Sequence, residues 1–287
     1  MKKAICVFSV LLGLSIASSA VFGTMLSKER AVAAPPVPSS VSGEPLNAEN
    51  SGETVSGQVQ TTGERKELDL SAGEDLDIDA NAISLSVQAT DEAKPWAMLS
   101  CKDNALDKVF YSAVRTDDGL KIKCNPQASH KNLTLNIQLV VYLPNNYLDE
   151  LEIDANAANL NASSLSLQKI EVDGNAVHVD IRKSAAKKFS FSGNACNLTF
   201  RENTVQEEFS YDSNAGNADI TLPAGTGFTC SYEARVGSFK NLLPEDALKH
   251  HSKSNKAFVK EGEFSYLGGG YKVEIECNAS SVKLGVA

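Results

Sequence analysis

The chain of 287 residues is 42% hydrophobic, 7% aromatic and 22% charged, and it carries a formal net charge of −9. An acidic chain lacks the positive field that binding to nucleic acid requires, so its composition argues against a DNA- or RNA-binding role. The ordinary hydrophobic fraction, with only 19 glycines and 9 prolines, also excludes collagen-like and wholly disordered proteins.

The amino-terminal segment, residues 1–27, has the features of an export signal. Lys2 and Lys3 precede an uncharged stretch, residues 4–26, that is rich in apolar side chains. The segment predicts either a cleaved signal peptide or a retained membrane anchor, since it is longer than the roughly 20 residues that span the hydrocarbon core. Both interpretations place the rest of the chain outside the cytoplasmic membrane, because the two lysines hold the amino end inside.

Residues 28–66 are predicted to form a disordered linker. Four prolines lie there among Ser, Gly, Thr, Glu and Asn, with almost no large apolar side chains. Such a segment cannot bury enough surface to offset the entropy lost on ordering. We expect the linker to hold the folded part, residues 67–287, away from the membrane.

The folded part is predicted to be all β. Apolar and polar residues alternate in short runs, which is the period of a strand with one buried face. An Asn-Ala dipeptide recurs in this pattern, and its central copies are 19, 19 and 20 residues apart. Spacing near 20 residues is typical of a stacked repeat. The dipeptides begin at Asn81, Asn156, Asn175, Asn194, Asn214 and Asn278.

Each dipeptide is predicted to form a structural corner. Around Asn175, the inward positions are Val172 and Gly174 before the dipeptide and Val177 and Val179 after it, so the step across it is three residues instead of two. Asn tolerates left-handed backbone angles, and stacked Asn side chains can form an amide ladder. The predicted fold is a single β-solenoid, or β-roll, of roughly 20-residue two-strand turns, preceded by an export helix and the disordered linker.

A stack of this kind needs covered ends. The less regular region, residues 90–144, and the carboxyl-terminal segment are the expected caps. A Lys- and His-bearing insertion, about residues 241–262, is expected to interrupt the stack.

The cysteines argue against a full disulfide framework. Cys6 lies in the export segment and leaves an odd number, five, for the rest of the chain. Cys101 and Cys124 lie in one irregular region and are a candidate disulfide. The other three fall on inward positions, where a thiol packs as a small hydrophobe: Cys196, Cys230 and Cys277.

The strand repeats carry a resemblance to a known family. The relevant stretches are residues 151–160, 170–181, 189–200, 209–223 and 271–284, with strand-ending Leu-Pro turns at Leu143-Pro144 and Leu222-Pro223. Through them, residues 68–287 resemble the putative adhesin family of bacterial envelope proteins, a β-strand-repeat domain of unknown molecular function. The resemblance implies surface display or a membrane-associated envelope role, and it implies no chemistry.

Few residues are suited to catalysis. His178 falls on an outward polar column, and His250 and His251 lack the spaced partners of a metal site. Asp154 and Asp173 precede corners in neighbouring turns, where they could approach like the paired carboxylates of glycan-cleaving enzymes. A solvated acidic edge that discourages aggregation is the favoured interpretation. We therefore expect no enzymatic activity, no cofactor and no metal.

The leading hypothesis is a non-enzymatic binding or adhesion module of the cell envelope or surface. Its partner would be an unidentified envelope or host macromolecule, and not nucleic acid. The location is expected to be extracytoplasmic, either anchored through residues 4–26 or secreted. Two alternatives stay open: a membrane-tethered regulator of an envelope-stress system, and a glycan-active enzyme that uses Asp154 and Asp173.

Overall fold

The computed structural model describes residues 63–127 and 135–287, which form one sheet of 18 strands. The predicted export segment and most of the predicted linker lie outside the described residues. In the described residues, the only helical elements are short 3-10 turns, so the all-β prediction is confirmed. The described part of the chain has no helix that is long and apolar enough to cross a membrane.

The strands are short in the first part of the chain and longer in the second. The first nine are β1 (Glu64–Glu67), β2 (Asp75–Asn81), β3 (Ser84–Thr90), β4 (Trp96–Ser100), β5 (Val109–Arg115), β6 (Gly119–Pro126), β7 (Gln138–Pro144), β8 (Glu150–Asn156) and β9 (Asn159–Ser163). The others are β10 (Ser166–Asn175), β11 (His178–Arg182), β12 (Ala185–Arg201), β13 (Thr204–Leu222), β14 (Phe228–Arg235), β15 (Ser238–Asn241), β16 (Leu248–Asn255), β17 (Val259–Tyr266) and β18 (Tyr271–Val286).

Strand β1 corrects the predicted end of the linker. Residues 64–66 were expected to be disordered, but Glu64–Glu67 pairs antiparallel with β4. The guanidinium of Arg65 also lies over the ring of Trp96, 4.1 Å from its centroid. Backbone pairing and this cation–π contact explain why a segment of polar composition is ordered here.

The strands lie in two rows that face each other across a single core. The first row runs β5, β6, β2, β8, β10, β12, β13, β18, β14, β17, β16. The second runs β1, β4, β7, β3, β9, β11, β12, β13, β18, β15. Strands β12, β13 and β18 are long enough to belong to both rows, so they join the two into one curled sheet.

Neighbouring strands in the middle of each row pair in parallel and in register. In the first row, Val172 of β10 lies beside Ile153 of β8 and Phe191 of β12. In the second, Val179 of β11 lies beside Leu160 of β9. These side chains are all buried, and burial of each contributes roughly 1.5–3 kcal/mol. The inward positions predicted from the alternation are therefore the positions that form the core.

Aromatic rings fill the middle of this core. Phe189 of the first row and Phe200 of the second have ring centroids 4.7 Å apart, which shows how closely the rows pack. Phe209 continues the cluster at 5.5 Å from Phe189 and 4.9 Å from Phe200. Phe191 stacks on Tyr211 at 5.4 Å. Contacts at these distances add to the stability that burial alone supplies.

The order of strands in space differs from their order in the chain. The carboxyl-terminal strand β18 was expected to cap the stack, but it lies inside, between β13 on one side and β14 and β15 on the other. The region that contains β4 to β7 does lie at one end. At the other end, the predicted interruption forms an antiparallel hairpin, β16 and β17, that pairs with β14. We call residues 228–266, strands β14 to β17, the hairpin cap.

The Asn-Ala dipeptides have two different backbone conformations. At three of them the strand ends, and the alanine has a positive φ: 55° at Ala82, 49° at Ala157 and 54° at Ala176. The other three lie inside the long strands β12, β13 and β18. The asparagines do not have a positive φ, so their tolerance of left-handed angles is not what these positions use.

Candidate ligand-binding site

The recurrent asparagines form an amide ladder on the surface. The Nδ2 of Asn175 donates to Oδ1 of Asn156 over 3.1 Å, and Asn194 donates to Asn175 in the same way. The ladder continues at 2.7 Å from Asn214 to Asn194 and from Asn278 to Asn214. Asn81 lies beside Asn156 in the pairing of β2 with β8, but no hydrogen bond joins these two side chains. These exposed amides bond to one another and so stabilise the stack, at about 0.5–1.5 kcal/mol for each bond.

A second polar column follows the ladder, on the outward side of the second row. His178 lies in register between Asn159 and Asn197, and Asn217 and Ser281 continue the line. Asn217 donates from both its backbone N and its Nδ2 to Oδ1 of Asn197, each over 3.2 Å. His178 is thus part of an exposed polar stripe.

The carboxylates singled out from the sequence lie side by side. Asp154 and Asp173 are directly opposite each other on β8 and β10. Desolvation raises the pKa of Asp154, and the negative charges of Asp77 and Asp173 raise it further. Asp173 accepts a hydrogen bond from the Ser192 hydroxyl. Lysines lie among the carboxylates of this face, and Lys121 forms an ion pair with Asp77. The arrangement is that of a partly neutralised acidic face.

The candidate disulfide is not formed in the structure. Cys101 and Cys124 are both buried free thiols. Cys124 lies on β6 in the first row, whereas Cys101 follows β4 of the second row. Burial raises the pKa of Cys124 to about 12, and it raises the pKa of Cys101 as well. The remaining thiols are buried as the alternation predicts: Cys196, Cys230 and Cys277.

A pocket of about 470 Å³ lies in the hairpin cap. Its floor is aromatic: the rings of Tyr232 and Phe239 stack with centroids 4.3 Å apart and planes 16° apart. Phe264 lies 6.3 Å from Tyr232 and 6.5 Å from Phe239. Gly262 faces Tyr232 on the neighbouring strand, and a Cβ there would come within 2.7 Å of the phenol oxygen. Glycine at this position therefore makes room for the tyrosine ring.

Cationic and amide side chains surround this floor. Lys240 comes from β15, Lys253 and Asn255 from β16, and Lys260 from β17. Among the described residues, none of the three lysines forms an ion pair with a carboxylate. The one carboxylate that lines the pocket is Glu245, whose side chain is 86% exposed and lies 3.7 Å from His250.

The hairpin separates charge between its faces. Lys260 and Phe264 line the pocket, so Glu261 and Glu263, which alternate with them on β17, point to the opposite face. Glu261 there accepts a hydrogen bond from a lysine on the same hairpin, Lys256, over 3.4 Å. The pocket thus has an aromatic floor and a positively charged rim, which suits a ligand with a flat apolar face and anionic groups.

Family comparison agrees with the strand pattern. Residues 73–281 match the family Toastrack DUF4097, which covers well over half of the chain. The chain belongs to the Toastrack DUF4097 family. The match extends over both rows of the curled sheet and includes the hairpin cap, and it confirms the resemblance to adhesin-like repeat domains.

Two solved structures resemble this Toastrack chain. A putative cell adhesion protein from Clostridium sporogenes is 12% identical, with 78% of this chain and 99% of that chain covered and a TM-score of 0.51. A putative adhesin from Bacteroides fragilis is 10% identical, with 78% and 97% covered and a TM-score of 0.46. The first of these likenesses supports the fold. No curated protein matches the sequence.

The pocket of the Toastrack chain was missed by sequence reasoning. Its aromatic floor combines Tyr232 and Phe239, from β14 and β15, with Phe264 of β17. The available signal was the alternation around residue 260. Cationic or apolar residues lie at even-numbered positions there, and the glutamates lie at odd-numbered positions. That pattern predicts a strand with chemically different faces, inside a segment that the sequence indicated only as an interruption.

Proposed function

We propose that this chain is a non-enzymatic binding module of the bacterial cell envelope or surface. The observation that carries the proposal is the hairpin-cap pocket, which combines an aromatic floor with lysines that form no ion pair among the described residues. Elsewhere on the outward faces, charged side chains are extensively paired, as Lys169 is with Glu150 and Glu171. A curled sheet that carries an unneutralised pocket at its end suits recognition.

The architecture supports display of that pocket. We infer that the curled sheet is a β-solenoid in which the Asn-Ala dipeptides occupy the corners. Parallel pairing in register at a spacing of 19 residues, as between Asn156 and Asn175, supports this inference, and so does the amide ladder along that edge. A solenoid is stiff along its axis because each turn contacts only its neighbours. The similar structure from Clostridium sporogenes carries a cell-adhesion name, which agrees with the proposal.

Localisation is part of the proposal. Residues 4–26 would export the chain and either anchor it or be removed, and residues 28–66 would space the folded part from the membrane. A retained anchor favours the alternative of an envelope-stress regulator. The adjacent Asp154 and Asp173 keep a glycan-active enzyme as a further alternative.

Fractionation of cells that produce the full chain tests the proposal. We expect the folded part in the envelope or the medium, accessible to added protease, and saturable binding of the purified full chain to isolated envelope or host-surface material. A folded part confined to the cytoplasm, or no binding to either material, would contradict it. Sequencing the mature amino terminus separates the alternatives, since an uncleaved anchor favours the regulator.

A further inference from the structure

We propose that the hairpin-cap pocket binds an acidic polysaccharide, with a sugar ring on the aromatic floor and its anionic groups held by Lys240, Lys253 and Lys260. The inference rests on the proposed function, because it names the class of macromolecule that the binding module recognises. Three features of the pocket favour such a ligand: its aromatic floor, its local charge and the spacing of its lysines.

The floor offers an aromatic surface on which an apolar face of a sugar ring can pack. Tyr232 and Phe239 stack on each other and are half-buried, while Phe264 is fully buried behind them. A cavity of about 470 Å³ lies within the range of small-ligand sites and exceeds the volume of a single bound anion. Burial raises the pKa of Tyr232, so its phenol stays protonated at neutral pH and can donate a hydrogen bond.

The pocket is positive in an acidic protein. The chain as a whole has a net charge of −9, so an anionic polymer is repelled by most of its surface. The hairpin cap reverses this balance, with six basic and five acidic side chains, and its glutamates on β17 face away from the pocket. The glutamates of β17 therefore do not offset the charge of the lysines on the pocket face, which favours an anion there.

The lysines are separated in a way that suits repeated charges. Asn255 lies opposite Lys260 in the hairpin, so Lys253 is the diagonal neighbour of Lys260, at a typical spacing of roughly 7–8 Å. Lys240 approaches from β15, on the other side of the pocket. Each lysine is a point charge on a flexible stem. Three such charges on three strands match a chain of uronate or sulfated residues better than a single compact phosphate.

Calorimetric titration of the full chain with an oligogalacturonate tests the proposal. We expect saturable binding that weakens as salt is added, because salt screens the lysine charges. The double variant Lys253→Ala, Lys260→Ala should lose about tenfold or more in affinity, since two charge-assisted contacts are removed. Phe239→Leu, which stays apolar but has no ring, should lose affinity by about threefold or more.

The matched control is the double variant Lys187→Ala, Lys188→Ala. These lysines are exposed on β12, outside the pocket, and their removal changes the net charge by the same amount. We expect the control to bind within about twofold of the unaltered chain, because its lysines lie outside the pocket. The two lysine double variants should unfold at the same urea concentration as the unaltered chain, since the substituted lysines are exposed.

Several outcomes would overturn the inference. These are equal binding of neutral maltooligosaccharides, binding only to phosphatidylglycerol vesicles, or equal loss in the control variant. If the Lys253→Ala, Lys260→Ala variant binds envelope material as well as the unaltered chain, the pocket inference falls and the proposed function stands. If the unaltered chain binds oligogalacturonate but neither envelope nor host-surface material, the proposed function falls and the inference about pocket chemistry stands.

Discussion

The parallel stack and the hairpin cap are both built from β-strands, but they differ in whether their polar side chains are bonded within the protein. In the stack, strands β8 to β13 pair in register, their inward residues are buried, and their asparagines bond to one another. In the hairpin cap, β16 is exposed over nearly its whole length, and the lysines around the pocket form no ion pair among the described residues.

The difference separates stability from recognition. A repeat is stable because each turn covers its neighbours, and this leaves few groups free to bind anything else. The segment that breaks the repeat escapes that constraint, and its polar groups are available to a ligand. Charged residues on the edge strand β16, such as Lys249 and Lys253, also discourage pairing with strands of other molecules.

Replacing an aromatic residue should give the largest difference in stability loss between the two regions. Phe209→Ala in the stack removes a fully buried ring that contacts Phe189 and Phe200, so we expect the free energy of unfolding to fall by about 3–5 kcal/mol. Phe239→Ala in the cap removes a half-buried ring and should cost about 1–2 kcal/mol. Urea denaturation measures both values. Equal losses would contradict the distinction between the stack and the cap.

A pair of asparagines tests the same distinction at the surface. Asn175 takes part in two amide hydrogen bonds of the ladder, so Asn175→Ala should lower the free energy of unfolding by about 1–2 kcal/mol. The side chain of Asn255 lines the pocket and makes no hydrogen bond within the described part of the chain. Asn255→Ala should therefore stay within about 0.5 kcal/mol of the unaltered chain. A loss at position 255 as large as that at position 175 would show that the ladder adds nothing.

The core of the stack could be predicted because its signal is local. Alternation with period two identifies the inward positions from a few neighbouring residues, and Val172, Val179 and Leu198 are buried as that pattern requires. The spacing of 19 residues predicted a stacked repeat, and residues 19 positions apart do lie side by side where β10 pairs with β8 and β12.

The position of β18 and the pocket could not be predicted in this way. Strands with the same alternation can pair in any order. The local sequence therefore does not indicate that β18, and not β14, lies beside β13. The pocket depends on contacts between residues far apart in the chain, such as Phe239 and Phe264. Corners were predicted at all six Asn-Ala dipeptides, but the strand ends at only three of them, and there the positive φ falls on the alanine. The repeated dipeptide therefore does not specify which copies end a strand or which residue has the unusual angle.

The smallest expected effects come from substituting the corner residues with glycine. Ala176 in the stack has a φ of 54°, and Val236, which takes the equivalent place in the cap, has a φ of 55° and is 76% exposed. A positive φ is unfavourable for residues with a Cβ and most unfavourable for β-branched ones. We expect Val236→Gly to raise the free energy of unfolding by about 1 kcal/mol and Ala176→Gly by about 0.5 kcal/mol, because relief of this strain exceeds the entropic cost of glycine.

Ala195→Gly is the matched control for these two substitutions. Ala195 belongs to another Asn-Ala dipeptide but lies inside β12 and does not have a positive φ. Glycine there should lower the free energy of unfolding by about 0.5–1 kcal/mol, because the unfolded chain gains freedom and no strain is relieved. Opposite signs for Ala176→Gly and Ala195→Gly in urea denaturation would establish that identical dipeptides occupy two backbone states. The same sign for both would mean that the strand breaks after β8 and β10 carry no strain of their own.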